Sequence, residues 1–406
     1  MTAARPYLPQ LRTSFADARY PGGRQRQLAV WWNEIDRTLL VLVLLVMAIG
    51  IVAVGAASPS SARRLSKTDV KLEDLYFLWL HLRFMALGLL VMFATAMVPQ
   101  NLMRRGCILL AAAMLVALLL VPIVGGEVNG ARRWLNVGIS FQPSEFLKPA
   151  FAVTVAWMLA WRVRDPSLPV ISLSAATVGL IVALLMLQPN LGDAILFAGA
   201  WFVLVMVAGL QLQRIGILAA CSTAALTLAY LFYDNARHRI DSFIGGGTAY
   251  DQVDLASRTL LGGGWTGSGF WMGTNKMSLP EAHTDYIFSV IGEEFGLLIC
   301  ALVVMLYLAI VMRVLMRMMN EENLFIVLAT AGLIALFGGQ AFINIMVNLQ
   351  LFPSKGMTLP LISYGGSSYV AQCFVVGLLL TITRRNPCLE REKFDWRAAF
   401  EKDSVL

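Results

Sequence analysis

Long apolar stretches alternate with short polar segments along most of this chain. Apolar runs cover 38–57, 77–98, 107–125, 146–161, 170–187, 191–209, 212–233, 286–312, 324–347 and 361–383. A helix needs about 20 apolar residues to cross a hydrocarbon core of ~30 Å. The pattern therefore predicts an all-α polytopic membrane protein with ten transmembrane helices. The fourth span is short, and the two that flank Pro189 are separated by a few residues. Polar tails, 1–35 and 386–406, frame a membrane domain over 36–385, and the one large connection runs over about 234–285. Fifty residues without an apolar period is long for a passive connection. Trp265, Phe270, Trp271 and Met272 within it point to an ordered loop with short helices lying on the membrane surface.

Composition agrees with the pattern. Of 406 residues 58% are apolar and 14% charged, and the mean hydropathy is +0.69. A water-soluble domain carries about 25% charged residues, so a cytosolic enzyme, a secreted disulfide scaffold and a disordered chain are all excluded. The net charge of +7 does not call for nucleic acid, because basic residues also gather on the cytoplasmic side of membrane proteins and bind phosphate-bearing lipids. An even number of spans puts both ends on one side. Placing them in the cytoplasm leaves nineteen Lys and Arg inside and eleven outside, which favours that orientation. The polar leader precedes the first apolar run by some 35 residues, unlike a cleaved signal peptide.

Candidate chemistry lies in the predicted outer loops. The five cysteines, Cys107, Cys221, Cys300, Cys373 and Cys388, show no metal-ligand or redox spacing and read as small hydrophobes. Gly245–Gly247 and Gly262–Gly264 lack the lysine-bearing pattern of a phosphate loop. His238 and His283 without matching cysteines do not suggest zinc. Glu145 and Lys148 stand three apart after Pro143, on one face of a starting helix, and read equally as a packing lock or as charge facing a cavity. Gly365-Gly366-Ser367-Ser368 in the last span reads as close helix contact. Asp285 ends a polar loop at the mouth of an apolar span, with His283 beside it and Glu293 and Glu294 two turns further on. It is either a helix cap or, at the lip of a partly dry cavity, a general base.

The stretches GARRWLNVG, QPSEFLKPA, LQPNLGDA, PEAHTDYIFSVIGEEFG and KGMTLPLISYGGSS, taken together and in this order, resemble the SEDS family (shape, elongation, division and sporulation) over about 36–385. Lys355 ahead of LPLISYGGSS is similar to the division branch, the FtsW-like one, rather than the rod-elongation branch. The resemblance implies a ten-span peptidoglycan glycosyltransferase that polymerises lipid II on the outer face of the bacterial plasma membrane, at the division septum. It also implies work with a class B penicillin-binding transpeptidase and other membrane proteins of division. By position, Asp285 matches the family's essential aspartate. Glu145 and Lys148 match its acid–base pair, and Arg132, Arg133 and Lys355 lie in motifs lining the same cavity.

The implied reaction is one inverting displacement: Asp285 takes the proton of the acceptor 4-hydroxyl while a lipid diphosphate departs. Arg132, Arg133, Lys148, Lys355 and, more weakly, Lys276 are the candidates to hold that diphosphate, or a divalent cation such as Mg or Mn assists. Glu145, His283, Glu293 and Ser367 are supporting candidates, and no metal ligand is assigned. The family's QPDLGTA here reads Gln188-Pro189-Asn190-Leu191-Gly192-Asp193-Ala194, so the carboxylate has moved three residues. Two further readings are a lipid II flippase and a docking scaffold. The polar residues cluster in loops rather than at the bilayer midplane where transporter sites lie, which favours the enzyme.

Overall fold

The computed structural model describes residues 30–66, 71–128, 131–137, 139–162, 165, 167–209, 252–319, 321–353 and 356–384, with isolated positions between 216 and 241. Two units are distinguished. In the first, residues 1–36 and 384–406, a short helical segment covers 30–34 and the Trp31 and Trp32 rings lie 6.1 Å apart. The second, 37–383, holds the elements that follow.

Its helices are α1 (Arg37–Leu65), α2 (Tyr76–Met97), α3 (Gln100–Val124), α4 (Pro143–Trp161), α5 (Val170–Leu187), α6 (Leu191–Val207), α7 (Gln252–Gly262), α8 (Ile287–Met318), α9 (Leu324–Asn348) and α10 (Ser367–Ile382). In lipid every backbone polar group must be satisfied within the chain, so apolar runs become helices. Among the described residues six helices, α1, α2, α3, α5, α8 and α9, are long and apolar enough to cross a membrane. Helices α6 and α10 are shorter, at 17 and 16 residues, and α4 carries Glu145 and Lys148 in its first two turns. The predicted span at 212–233 lies outside the described residues. The chain is a mostly helical, multi-pass membrane protein.

Two differences from the sequence reading have local causes. The segment 126–141, which the apolar pattern leaves between spans, forms a small antiparallel sheet, β1 (Gly126–Val128), β2 (Ala131–Val137) and β3 (Ile139–Phe141), in the order β1-β2-β3. The last span begins at Ser367, not near 361, because Gly366 takes φ 51° and turns the chain into α10. The stretch 356–366 is non-helical yet largely buried. A Cβ on Gly50 of α1 would meet the Leu361 carbonyl at 2.8 Å, about 20 Å along α1 from Arg37 at 1.5 Å per residue. Irregular backbone at such depth is tolerated where protein covers it. Here Tyr307 of α8 donates to the Pro360 carbonyl and Ser363 Oγ accepts the Leu359 N–H at 2.8 Å.

Small residues set the close helix contacts. A Cβ on Gly88 of α2 would lie 2.7 Å from Cys373 Sγ, and one on Gly377 of α10 would lie 2.7 Å from the Met92 carbonyl. Backbone approach of this kind favours association in lipid, where no hydrophobic force acts between helices. Cys107, Cys300 and Cys373 are buried and unbridged, whereas Cys221 and Cys388 lie outside the described residues.

Helix α8 breaks at Gly296, where φ is 83°. The loop 263–269 fills the broken hydrogen-bond ladder. The N–H groups of Ser268 and Gly269 donate to the Glu293 and Glu294 carbonyls at 2.8 and 3.0 Å, and the Leu297 N–H donates to the Gly264 carbonyl at 3.0 Å. A Cβ at 296 would stand 2.3 Å from the Trp265 carbonyl. A Cβ on Gly263 would stand 2.0 Å from the Gly292 carbonyl, so Gly263 serves close packing. We expect Gly296→Val to destabilise the fold by on the order of 3 kcal/mol or more, from left-handed backbone strain plus the clash. A lowered melting temperature in detergent would show it, and an unchanged one would refute the account.

Candidate functional site

Asp285 lies in the turn before α8. Tyr286, not Thr284 or Asp285, occupies the helix N-cap, and Thr284 Oγ bonds Glu281 instead, at 2.8 Å. The capping alternative for Asp285 therefore fails. Two amides of α9 hold the Asp285 peptide: Asn344 Nδ2 donates to its carbonyl at 2.8 Å and Asn348 Nδ2 at 3.2 Å. Asn344 also donates to the Met357 carbonyl at 2.6 Å, and Gln340 Nε2 to the Thr358 carbonyl at 3.0 Å. Gln340, Asn344 and Asn348 recur every four residues, so one face of α9 binds both the 285 turn and the 357–358 strand of chain. Sequence reasoning passed over this stripe, although polar residues at helical spacing inside an apolar span are a readable signal.

Asp285 borders a small pocket with Tyr286, Asn344, Val347, Gly356 and Met357. Gly356 has φ 62°, and a Cβ placed on it would lie 3.5 Å from Asp285 Oδ2 and 3.9 Å from Arg133 Nη1. Carboxylate and guanidinium thus both border one glycine. Arg133 reaches this point from β2, where alternation turns Arg132 to the other, exposed face. Its Nε donates to the Gln188 carbonyl at 3.2 Å and its Nη2 to the Pro189 carbonyl. Of the predicted arginine pair, Arg133 is half-buried and lies beside Gly356, and Arg132 is the more exposed. Lys355 lies outside the described residues.

A second polar centre is buried behind the first. Lys148, 2% exposed, pairs with Glu145 Oε1 and Asp193 Oδ1, each at 2.8 Å, and donates to Gln340 Oε1 at 3.3 Å. The lysine is thereby committed to two carboxylates. Asp193 Oδ2 accepts from Ser144 Oγ at 2.8 Å and Asn190 Nδ2 at 2.7 Å, and Glu145 Oε2 from Ser368 Oγ at 3.1 Å. Ser368 Oγ also meets Thr358 Oγ1 at 3.0 Å, so hydrogen bonds connect the buried ions to the chain that carries Gly356. Ser367 Oγ accepts the Gln142 N–H at 3.3 Å and serves the start of α4 rather than the pocket. Asp193 was left without a role by its displaced position. Asn190 accepts the Asp193 N–H at 3.4 Å as the N-cap of α6, with Asp193 at the third helical position. That is the spacing of a capping box, the signal that could have placed it.

Lys276 differs from expectation. It is 1% exposed and its ammonium is held by Glu294 and, at 3.0 Å, by the Ala56 carbonyl. Glu293 accepts the N–H groups of Asn275 and Lys276 at 2.7 and 2.9 Å. The trio fixes the 271–278 loop to α1 and α8 and does not face Asp285. His283 packs between the Phe77 and Tyr364 rings at 4.1 and 5.6 Å, and its Nδ1 has no partner among the described residues. Burial pushes its pKa down to about 4, against the pull of Glu281, so it is neutral near pH 7 and supplies no charge. The unfolded chain takes up this proton below about pH 6.5 and the fold does not. Stability should thus fall as pH drops from about 6.5 toward 4. We expect a lower melting temperature at pH 5 than at pH 7, with the difference reduced in His283→Phe.

The family model described as "Cell cycle protein", spanning FtsW, RodA and SpoVE, matches residues 36–387. The chain belongs to this family. Among its FtsW/RodA/SpoVE relatives is a protein named "Probable peptidoglycan glycosyltransferase FtsW" of Caulobacter vibrioides, 34% identical over 89% of this chain and 92% of that protein. A namesake from Idiomarina loihiensis is 32% identical over 91% and 94%. The rod shape determining protein RodA of Thermus thermophilus is similar in structure, with a TM-score of 0.64, 29% identity and coverage of 88% and 99%. So is a chain solved within a peptidoglycan synthase complex, described as coordinating polymerization and crosslinking, at a TM-score of 0.70, 29% identity and coverage of 87% and 98%.

Proposed function

We propose that this chain is a peptidoglycan glycosyltransferase that polymerises lipid II at the outer face of the bacterial plasma membrane during cell division. The observation that carries the reading is that Asp285 Oδ2 and Arg133 Nη1 both border Gly356, which lines a pocket together with Asp285. Asp285 takes the proton of the acceptor sugar's 4-hydroxyl as its oxygen attacks the donor anomeric carbon. The bond from that carbon to the diphosphate breaks, and the departing charge is stabilised by Arg133. A single displacement inverts an α-linked donor to a β-linked product. Similarity to FtsW relatives and to a chain from a synthase complex supports a ten-span, septal enzyme with both termini cytoplasmic, acting with a class B penicillin-binding transpeptidase and other division proteins.

Among the described residues no group of three or more His, Cys, Asp or Glu gathers as a metal cage. Magnesium usually needs one or two carboxylates plus substrate phosphates, so Asp285 and a diphosphate fit a Mg or Mn ion that arrives with the substrate. Such an ion would add charge stabilisation at the leaving group. EDTA is then expected to lower turnover and added Mg to restore it, while chelator-resistant polymerisation would refute the ion.

The deciding experiment gives labelled lipid II to the purified protein with its transpeptidase partner, beside Asp285→Ala. Polymer from the wild type and none from the variant is expected. Equal polymer from both removes Asp285 from the reaction, and lipid crossing the bilayer without polymer replaces the enzyme by a flippase.

A further inference from the structure

The turn between α5 and α6 is tied on both sides. On one side the Gln188 and Pro189 carbonyls receive two N–H groups of Arg133. On the other Asn190 Nδ2 donates to Asp193 Oδ2 at 2.7 Å, while Asp193 Oδ1 pairs with Lys148 at 2.8 Å. Gln188 Nε2 anchors the same turn to the Leu118 carbonyl of α3 at 2.9 Å. Gln188, Asn190 and Asp193 are all at most 4% exposed, so these bonds are screened from water. A carbonyl pair can aim a guanidinium only if its own peptides are fixed. The fixing group here is the amide of Asn190, and what fixes that amide is a carboxylate held by a buried ammonium.

We propose that Asn190 and Asp193 are positioning residues that set the Arg133 guanidinium beside Gly356, a residue of the Asp285 pocket, through the 188–190 turn. The inference rests on the reading above, in which Arg133 meets the substrate diphosphate. Neither residue touches that substrate. Because Asn190 and Asp193 share a hydrogen bond, exchanging them leaves amide and carboxylate facing each other with the charge three residues earlier, at the N-cap of α6. The carboxylate's place is therefore exchangeable within the pair, whereas its loss is not.

The test uses the purified full chain with its transpeptidase partner and two readouts, lipid II polymerisation kinetics and binding of farnesyl diphosphate as a bare diphosphate probe. Asn190→Ala is the principal variant because it cuts the tie to the turn while leaving the Lys148–Asp193 pair whole. It is expected to weaken farnesyl diphosphate binding and raise the KM for lipid II about tenfold, with the melting temperature in detergent little changed. Arg133→Ala should do the same, and Asn190→Ala/Arg133→Ala together should lose no more than Arg133→Ala alone, since both act on one interaction. Asp193→Asn should behave like Asn190→Ala, with the exchange Asn190→Asp/Asp193→Asn recovering most of the binding. Losses that multiply in the Asn190→Ala/Arg133→Ala pair would overturn the proposal, as would an exchange variant no better than Asp193→Asn. If the wild type makes no polymer yet the binding data keep the non-additive pattern, the positioning role stands and the glycosyltransferase reading falls.

Discussion

Lys148→Met is expected to unfold the membrane domain or leave it in very low yield. The ammonium answers two carboxylates, Glu145 and Asp193, at 2.8 Å each, and all three side chains are almost wholly buried. Removing the cation leaves carboxylates facing each other in a low-dielectric interior, a loss on the order of 3–5 kcal/mol. That is a large part of the 5–15 kcal/mol by which domains are typically stable. The same physics makes a second prediction of opposite sign. Lys148→Met combined with Glu145→Gln and Asp193→Asn removes every charge and should fold far better than the single variant, since replacing a whole buried ion group is often near neutral. Monodispersity and melting temperature in detergent report both. A single variant as stable as wild type would show that the three groups are not coupled as the distances state.

Asp285→Asn should keep the fold and lose the reaction. The peptide of residue 285 is held through its carbonyl by Asn344 and Asn348, bonds that do not involve the side chain. Loss of a positioned general base typically lowers rate 10²–10⁴-fold, and we expect a fall in kcat of that order with an unshifted melting temperature. Asp285→Glu carries the same charge on a longer stem and pushes the carboxylate toward Gly356 and Arg133. A misplacement of about 1 Å costs about 10² in rate, so Glu is expected to recover little. Near-normal polymerisation by Asp285→Asn would transfer the base role to another group.

What the sequence revealed followed from what is local. The Glu145–Lys148 pair was legible because three residues along a helix fix the distance between side chains, and the apolar runs marked nine of the described helices, with ends off by up to eight residues. Contacts between distant segments were not legible. Lys276 looked like a loop cation because its partners, Glu294 and the Ala56 carbonyl, come from other helices. Arg132 and Arg133 read alike in sequence, yet strand alternation in β2 leaves Arg132 the more exposed of the two, and the sheet itself is hidden in a glycine-rich connection. Asp193 pairs with a lysine 45 positions earlier, a contact that only the packing of α6 on α4 creates. The Gln340, Asn344 and Asn348 stripe was readable from its spacing alone.

The break at Gly296 has a consequence for engineering this protein. Surface loops usually accept inserted sequence, since few of their amides bond anything the fold depends on. Between Gly264 and Gly269 the loop supplies the missing rungs of a transmembrane helix. An epitope tag placed there would not dangle in solvent; it would strip hydrogen bonds from α8 and open the bundle from within.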